Sequence, residues 1–122
     1  MIPRGAPATQ HKDGQSPGLS QNHHRMSTAI VLIHVEGERH KQDRKWGPQN
    51  HSPLEWMAIL VEEEGEAQKE ALEHHWAGTH YPVDEFRLLR LRAELVQVAA
   101  VAVAAIESLD RNELRAALAG VP

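Results

Sequence analysis

Residues 52–76, SPLEWMAILVEEEGEAQKEALEHHW, decide the fold of this chain. Ser52 and Glu55 have the spacing of a capping box, and Pro53 takes the first helical position, where a missing backbone N–H costs nothing. Apolar residues then recur at helical spacing as far as Trp76. The stretch therefore predicts one long amphipathic helix.

Similar signals predict helices on both sides of this stretch, and no stretch alternates with the period of a strand. The flanking helices are expected from Ser27 to about Asp43, from Val83 or Asp84 to about Ser108, and in a short last segment capped by Asp110 and Glu113. The sequence thus predicts an all-α fold, a bundle of about four helices.

Residues 1–26 differ from the rest of the chain because they are rich in Gly, Pro, Gln, Ser and His and contain little that a core could bury. Such a segment cannot offset its own ordering entropy. We therefore expect a disordered tail over residues 1–26 and a single all-α domain over residues 27–122 of the 122-residue chain.

The composition excludes several classes of protein. With 13 basic and 17 acidic residues, a net charge of −4 and 4% aromatic residues, the chain lacks the features of a nucleic-acid-polymer binder. The absence of cysteine removes disulfides, thiol nucleophiles and Cys-based zinc sites. The first 26 residues contain no apolar run of signal-peptide length, and no stretch of the chain approaches the ~18 apolar residues of a membrane span. A soluble cytoplasmic protein that does not bind membranes is expected.

The central helix carries an acidic stripe. Glu62, Glu63, Glu66 and Glu70 share an arc of about 100° that adjoins the apolar face of the helix. A glutamate-rich turn is often only a solvated face. Like charges crowded beside a core are costly without a cation, however, and hard divalent cations favour oxygen ligands.

The third predicted helix supports the interpretation that the acidic residues bind a cation. Residues 95–106, LVQVAAVAVAAI, are apolar nearly all round, yet Glu94 and Gln97 enter this helix from its buried side. If the second and third helices pack antiparallel, Glu63 and Glu66 face Glu94 and form a carboxylate metal site. A helix that is apolar all round also cannot be covered within so small a chain, which predicts a homodimer or homotetramer.

Two segments resemble the MazG-like branch of the all-α nucleoside triphosphate pyrophosphohydrolases, especially versions carried by bacteriophages: residues 45–73, KWGPQNHSPLEWMAILVEEEGEAQKEALE, and residues 91–109, LRAELVQVAAVAVAAIESL. The family is recognised by Glu-x-x-Glu on one helix and Glu-x-x-Asp on the next. Glu63 and Glu66 match the first motif, with Glu62 supplying the glutamate that often precedes it. Glu94 and Gln97 match the second only in part, because it ends in glutamine.

The resemblance implies hydrolysis of a nucleoside triphosphate to the monophosphate and pyrophosphate, with Mg²⁺ or Mn²⁺ as cofactor. Glu63, Glu66 and Glu94 would be ligands, Glu62 a ligand or the base that orients the water, and Gln97 a weak ligand. Similarity to phage members favours a purine deoxynucleotide such as dGTP, in the host cytoplasm if the chain is phage-encoded. The alternative is a catalytically weakened homologue that serves as a nucleotide-binding or protein-interaction module.

Several residues near the acidic helices are candidates for substrate binding, each with a structural alternative. The candidates are Lys45, Trp46, Lys69, Arg87 and Arg90. Arg90 has the spacing of an intrahelical salt bridge to Glu94, and a tryptophan such as Trp46 often packs at a helix turn instead of stacking on a base. The histidines include no HExxH motif, so zinc is not expected.

Overall fold

The computed structural model describes the backbone of residues 17–120 and the side chains of residues 27–120. Within these residues the chain is helical and contains no strand, which confirms the all-α class. Three long helices, α1 (Pro17–Trp46), α2 (Pro53–His75) and α3 (Arg87–Leu109), are followed by a π-helical turn (Asp110–Leu114) and the short α4 (Arg115–Ala119). No helix in this part of the chain combines the length and apolarity of a membrane span.

The start of α1 differs from the prediction. The helix begins at Pro17, ten residues before the predicted cap Ser27. The apolar pattern starts near Ser27, but helical backbone hydrogen bonds can extend beyond the apolar residues. The predicted disorder of residues 1–16 lies outside the described residues. The helix ends at Trp46, three residues after the predicted end near Asp43. Gly47 follows with a φ of +68°, and its N–H donates to the Asp43 carbonyl at 2.8 Å.

The start of α2 is as predicted. The Ser52 hydroxyl accepts from the Glu55 N–H at 3.2 Å, and the Glu55 carboxylate accepts from the Ser52 N–H at 3.1 Å. Both halves of the capping box are therefore made, and they satisfy N–H groups that have no partner within the helix. The helix ends at His75, one residue before the predicted end.

The last predicted helix start is wrong. Asp110 is helical (φ −60°, ψ −44°), and its N–H donates to the carbonyls of Glu107 and Ile106, so the backbone continues from α3 through the π-helical turn into α4. The turn directs Arg111 and Asn112 at the loop between α1 and α2. The Arg111 guanidinium donates to the Gln49 carbonyl at 3.2 Å, and the Asn112 amide donates to the Asn50 side-chain oxygen at 2.9 Å.

Helix α3 lies between the other two long helices. It packs against both α1 and α2, whereas α1 and α2 do not pack against each other within the described chain. The core joins Trp56 near the start of α2 to Val101 and Ala104 near the end of α3, so these two helices are antiparallel as predicted. A groove floored by α3 therefore separates α1 from α2, and the loop of residues 47–52 closes one end of it.

The outer side of α3 is not covered by the described part of the chain. Leu88, Leu95 and Ile106 are each more than half exposed, and they share the side of α3 opposite the groove. A mid-helix glycine such as Gly65 often marks close packing, but among the described residues a Cβ added there would meet nothing within 4 Å. Residues 27–120 therefore leave this side of α3 uncovered.

Candidate functional site

A group of carboxylates from all three long helices surrounds Glu63. We call this group the carboxylate cluster; it comprises Glu38 on α1, Glu62, Glu63 and Glu66 on α2, and Glu94 on α3. Partial burial, followed by the negative charges of Glu94 and then of the other three, raises the pKa of Glu63 above its ordinary value. Glu66 and Glu94, two of the glutamates that the sequence predicts as ligands, thus lie close enough to the third, Glu63, for their charges to act on it.

Members of the cluster differ in their access to solvent. Glu63 and Glu94 are half-buried, whereas Glu62 and Glu66 are exposed at the edge of α2. The negative charge is therefore concentrated at the wall of the groove, where Glu63 meets Glu94 across the interface between α2 and α3. Burial and, after it, repulsion from these carboxylates raise the pKa of Glu63, so Glu63 holds its proton more tightly than an isolated glutamate.

Glu38 is the member that the sequence analysis missed. Its side chain is only 17% exposed, and it lies one turn from two residues that α1 buries, Val35 and Gln42. Residues 35, 38 and 42 follow the spacing of one helical face, and this pattern was a usable signal. The pattern could not predict the relative register of α1 and α3, because this register depends on tertiary packing.

Gln97 is half-buried on α3 and lines an open recess together with Glu38, Lys41 and Arg92. The Lys41 ammonium lies 4.0 Å from the Glu38 carboxylate, and the Arg92 guanidinium is 2.8 Å from Nδ1 of His34. The cations beside the second motif are therefore Lys41 and Arg92, neither of which the sequence analysis selected.

Arg87 and Arg90 do not face the carboxylate cluster. Arg87 is buried and is paired with Glu73, and its guanidinium is also 3.6 Å from Glu70. Arg90 is paired with Asp84, and its Nε lies 3.5 Å from Glu70. The Arg90 guanidinium lowers the pKa of Asp84, with help from the Phe86 N–H.

The salt bridge predicted as the alternative for Arg90, to Glu94, is therefore not formed. Both arginines lie at the end of the α2–α3 interface formed by the first turn of α3 and the last turns of α2, which the antiparallel packing places side by side. Two of the predicted substrate-binding residues thus have carboxylate partners supplied by the chain itself.

The remaining predicted substrate-binding residues are exposed. Lys45 lies over the ring of Trp46, with Nζ 4.5 Å from the ring centroid, at the end of α1. Lys69 is exposed on α2. Trp46 is 55% exposed, whereas Trp56 is 4% exposed and belongs to the core. Of the two tryptophans near the start of α2, only Trp56 packs within the fold.

The donor chemistry of the carboxylate cluster fits a hard divalent cation. All its members offer carboxylate oxygens, which are ligands that hard divalent cations favour. Among residues 27–120, however, no three metal-ligating side chains already converge on one point. Binding a cation would therefore require the glutamate side chains to turn inward, which their exposed positions on α2 permit.

Comparison with known proteins finds no match to a family model, a curated protein or a solved structure. The resemblance to MazG-like pyrophosphohydrolases therefore stays a prediction that rests on the motifs of α2 and α3.

Proposed function

We propose that the protein hydrolyses a nucleoside triphosphate to the monophosphate and pyrophosphate in a reaction that depends on Mg²⁺ or Mn²⁺. The observation that carries this proposal is the placement of the half-buried Glu63 among carboxylates from three helices. A purely solvated acidic face would not bring a half-buried Glu94 from another helix against this stripe. A concentration of negative charge beside a groove favours a substrate that binds together with its own cations.

Glu63, Glu66 and Glu94 would hold the cation, with Glu38 as a further oxygen donor from α1. A bound divalent ion supplies neutralisation of the triphosphate and a water of lowered pKa. Gln97 contributes a neutral carbonyl oxygen, so it orients a ligand or water without adding charge. Lys41 and Arg92 line the same recess as Gln97, and in this proposal they would contact phosphate oxygens.

In the proposed reaction, a water oxygen forms a bond to the α-phosphorus as the bond from that phosphorus to the bridging oxygen of the β-phosphate breaks. Pyrophosphate leaves with the electron pair. The water proton passes to a carboxylate, and Glu62 is the best placed acceptor because it is exposed at the mouth of the cluster and adjoins Glu63. A carboxylate near a cation holds its charge at neutral pH and can accept this proton.

The second candidate function is nucleotide binding or protein interaction without efficient turnover. It is favoured by one observation, Gln97, which leaves the second motif without its final carboxylate. Turnover distinguishes the two candidates, because a binding module retains affinity for the nucleotide but releases no pyrophosphate.

We also propose a homodimer or homotetramer as the working form. The support is the uncovered side of α3, where Leu88, Leu95 and Ile106 lie exposed, since contiguous apolar surface of this kind marks an interface. The reaction would act on free nucleotides in the cytoplasm, that of the host if the chain is phage-encoded, and a purine deoxynucleotide such as dGTP is the proposed substrate.

A panel of ribo- and deoxynucleoside triphosphates with Mg²⁺ or Mn²⁺ tests the proposal, with pyrophosphate resolved from phosphate. We expect pyrophosphate release that a chelator abolishes. Glu63→Gln, Glu66→Gln and Glu94→Gln should each remove most of the turnover, and Glu64→Gln, on an exposed face away from the cluster, is the matched control. Release of single phosphates, or turnover unaffected by chelator, would refute the mechanism.

A further inference from the structure

The outer side of α3 continues into α4 as one apolar stripe. The stripe comprises five side chains that are 45–69% exposed: Leu88, Leu95, Ile106, Leu114 and Leu118. At about 100° per residue, Leu88 and Leu95 lie within about 20° of Ile106 on the helix surface. In an uninterrupted α-helix, Leu114 and Leu118 would lie about 80° and 120° away from Ile106.

The π-helical turn brings these last two leucines into line with the others. The Arg115 N–H donates to the Asp110 carbonyl, five residues back, so this turn holds one residue more than an α-helical turn. One extra residue sets the following helix back by about 100°. Leu114 and Leu118 are thereby left within about 20° of Ile106, and α3 and α4 present their apolar residues on the same side.

The described chain leaves α4 uncovered. Among the helical elements, α4 contacts only the π-helical turn that precedes it, and Leu118 is 69% exposed. An open cavity lies beside Ile106 between α2 and α3, and apolar side chains such as Met57, Leu60 and Leu109 form most of its lining. The stripe and this cavity therefore form one continuous apolar face.

The stripe is complementary to itself in an antiparallel arrangement. Leu95 lies 11 residues before Ile106 and Leu118 lies 12 residues after it, so the two leucines are almost equally far from Ile106. A twofold axis near Ile106 would place Leu95 of each copy against Leu118 of the other. Ala99 and Ala102 occupy the stretch between Leu95 and Ile106, and their small side chains let two helices approach closely.

The apolar face is also large enough for a stable dimer. Residues 95–118 form about 35 Å of helix, and α2 lies beside them with Met57 and Val61 more than half exposed. Two neighbouring helices, each about 10 Å across, give a face of roughly 700 Å². A standard interface buries about 800 Å² of each partner.

We propose that a second copy of this chain covers the stripe in this antiparallel arrangement, with α4 of each copy packed over Leu95 of the other. The inference rests on the oligomer proposed above and names the surfaces that meet in it. The contact buries Leu118, and it places the Ile106 side chains at the centre, beside the two cavities. The π-helical turn is essential to the contact, because without it α4 would direct its leucines away from the partner.

Cross-linking of introduced cysteines tests the arrangement, because the chain contains no cysteine of its own. We expect the double variant Leu95→Cys/Leu118→Cys to form covalent dimers readily with a short bismaleimide reagent. Within one chain the two positions are about 35 Å apart on a continuous helix, so the reagent can join them only between copies.

Each single variant is a matched control. In the proposed dimer, the two cysteines of Leu118→Cys lie about 35 Å apart, as do those of Leu95→Cys, so neither variant should form covalent dimers alone. Ile106→Cys, at the axis, should cross-link to its own copy. Covalent dimers of Leu118→Cys alone, or none from the double variant, would overturn the arrangement.

A charge placed on α4 tests its contribution to association. Leu118→Asp should raise the dimer Kd by about tenfold or more in sedimentation experiments, whereas Ala116→Asp should leave it unchanged. Ala116 is exposed and lies about 160° from Leu118 around the same helix, so it carries the same charge on the opposite side. Equal effects of the two variants would refute a contact through Leu118.

The arrangement and the oligomer fail separately. If the wild-type protein is a dimer but the double variant gives no covalent dimer, the antiparallel arrangement is refuted and the oligomer stands. If the wild-type protein is a folded monomer at micromolar concentration, the oligomer is refuted and the arrangement with it. Pyrophosphate release tests hydrolysis independently of both.

Discussion

Replacing Glu63 by glutamine should stabilise the protein in the absence of metal. Glutamine keeps the shape and the helix propensity of glutamate but removes its charge from among four neighbouring carboxylates. The nearest comparison is a like-charge pair on a helix, which costs about 0.2–0.5 kcal/mol. Counting Glu94 and Glu66 as two such neighbours gives about 0.5–1 kcal/mol, or ~2–6 °C in melting temperature for a domain of this size.

The effect should depend on pH in a defined direction. Because the pKa of Glu63 is raised in the folded chain, the wild-type protein loses stability as the pH rises from the ordinary pKa of a glutamate through the raised one. Below the ordinary value, about pH 4, Glu63 is protonated in both folded and unfolded chains and the penalty disappears. The advantage of Glu63→Gln should therefore be full at neutral pH and absent below about pH 4.

Thermal unfolding followed by circular dichroism measures this difference at fixed protein concentration with chelator present. Glu64→Gln is the control and should melt close to the wild-type protein. Adding Mg²⁺ should reverse the order, since only the wild-type cluster gains from binding the ion. The reasoning is refuted if Glu63→Gln and Glu64→Gln have the same melting temperature at neutral pH, or if the difference persists unchanged in acid.

Three further changes test other parts of the structure. Arg87→Met should lower the free energy of unfolding by about 3–5 kcal/mol, because it leaves Glu73 partly buried without its cation. Denaturant titrations measure this loss, and a value below about 1 kcal/mol, as for an exposed ion pair, would contradict the prediction. Leu95→Asp should dissociate the oligomer in sedimentation experiments while helicity is retained, whereas Val101→Asp should unfold the core. A folded wild-type monomer at micromolar concentration would refute the argument that the exposed side of α3 is buried in an oligomer. Gln97→Asp should tighten Mg²⁺ binding in calorimetry, since a carboxylate adds Coulomb attraction that an amide lacks, and unchanged or weaker affinity would count against it.

The sequence predicts local features of this fold better than contacts between helices. The Ser52–Glu55 cap depends on residues three positions apart, and it is found as predicted. The meeting of Glu63 with Glu94 also follows from helical periodicity once antiparallel packing is assumed. The partners of Arg87 could not be predicted in this way, because they depend on how far α2 and α3 slide along each other. The contribution of Glu38 depends likewise on the rotation of α1 about its axis.

The arrangement of the helices has a consequence for local unfolding. Because α1 contacts α3 but not α2 within the described chain, α1 can detach without exposing the interface between α2 and α3. Hydrogen exchange should reveal this as a subglobal opening, in which the amides of α1 lose protection at a lower free energy than those around Val101. The helix that carries Glu38 and Gln42 would then unfold and refold as a separate unit. A ligand that spans the groove should slow hydrogen exchange more in α1 than in α2 or α3.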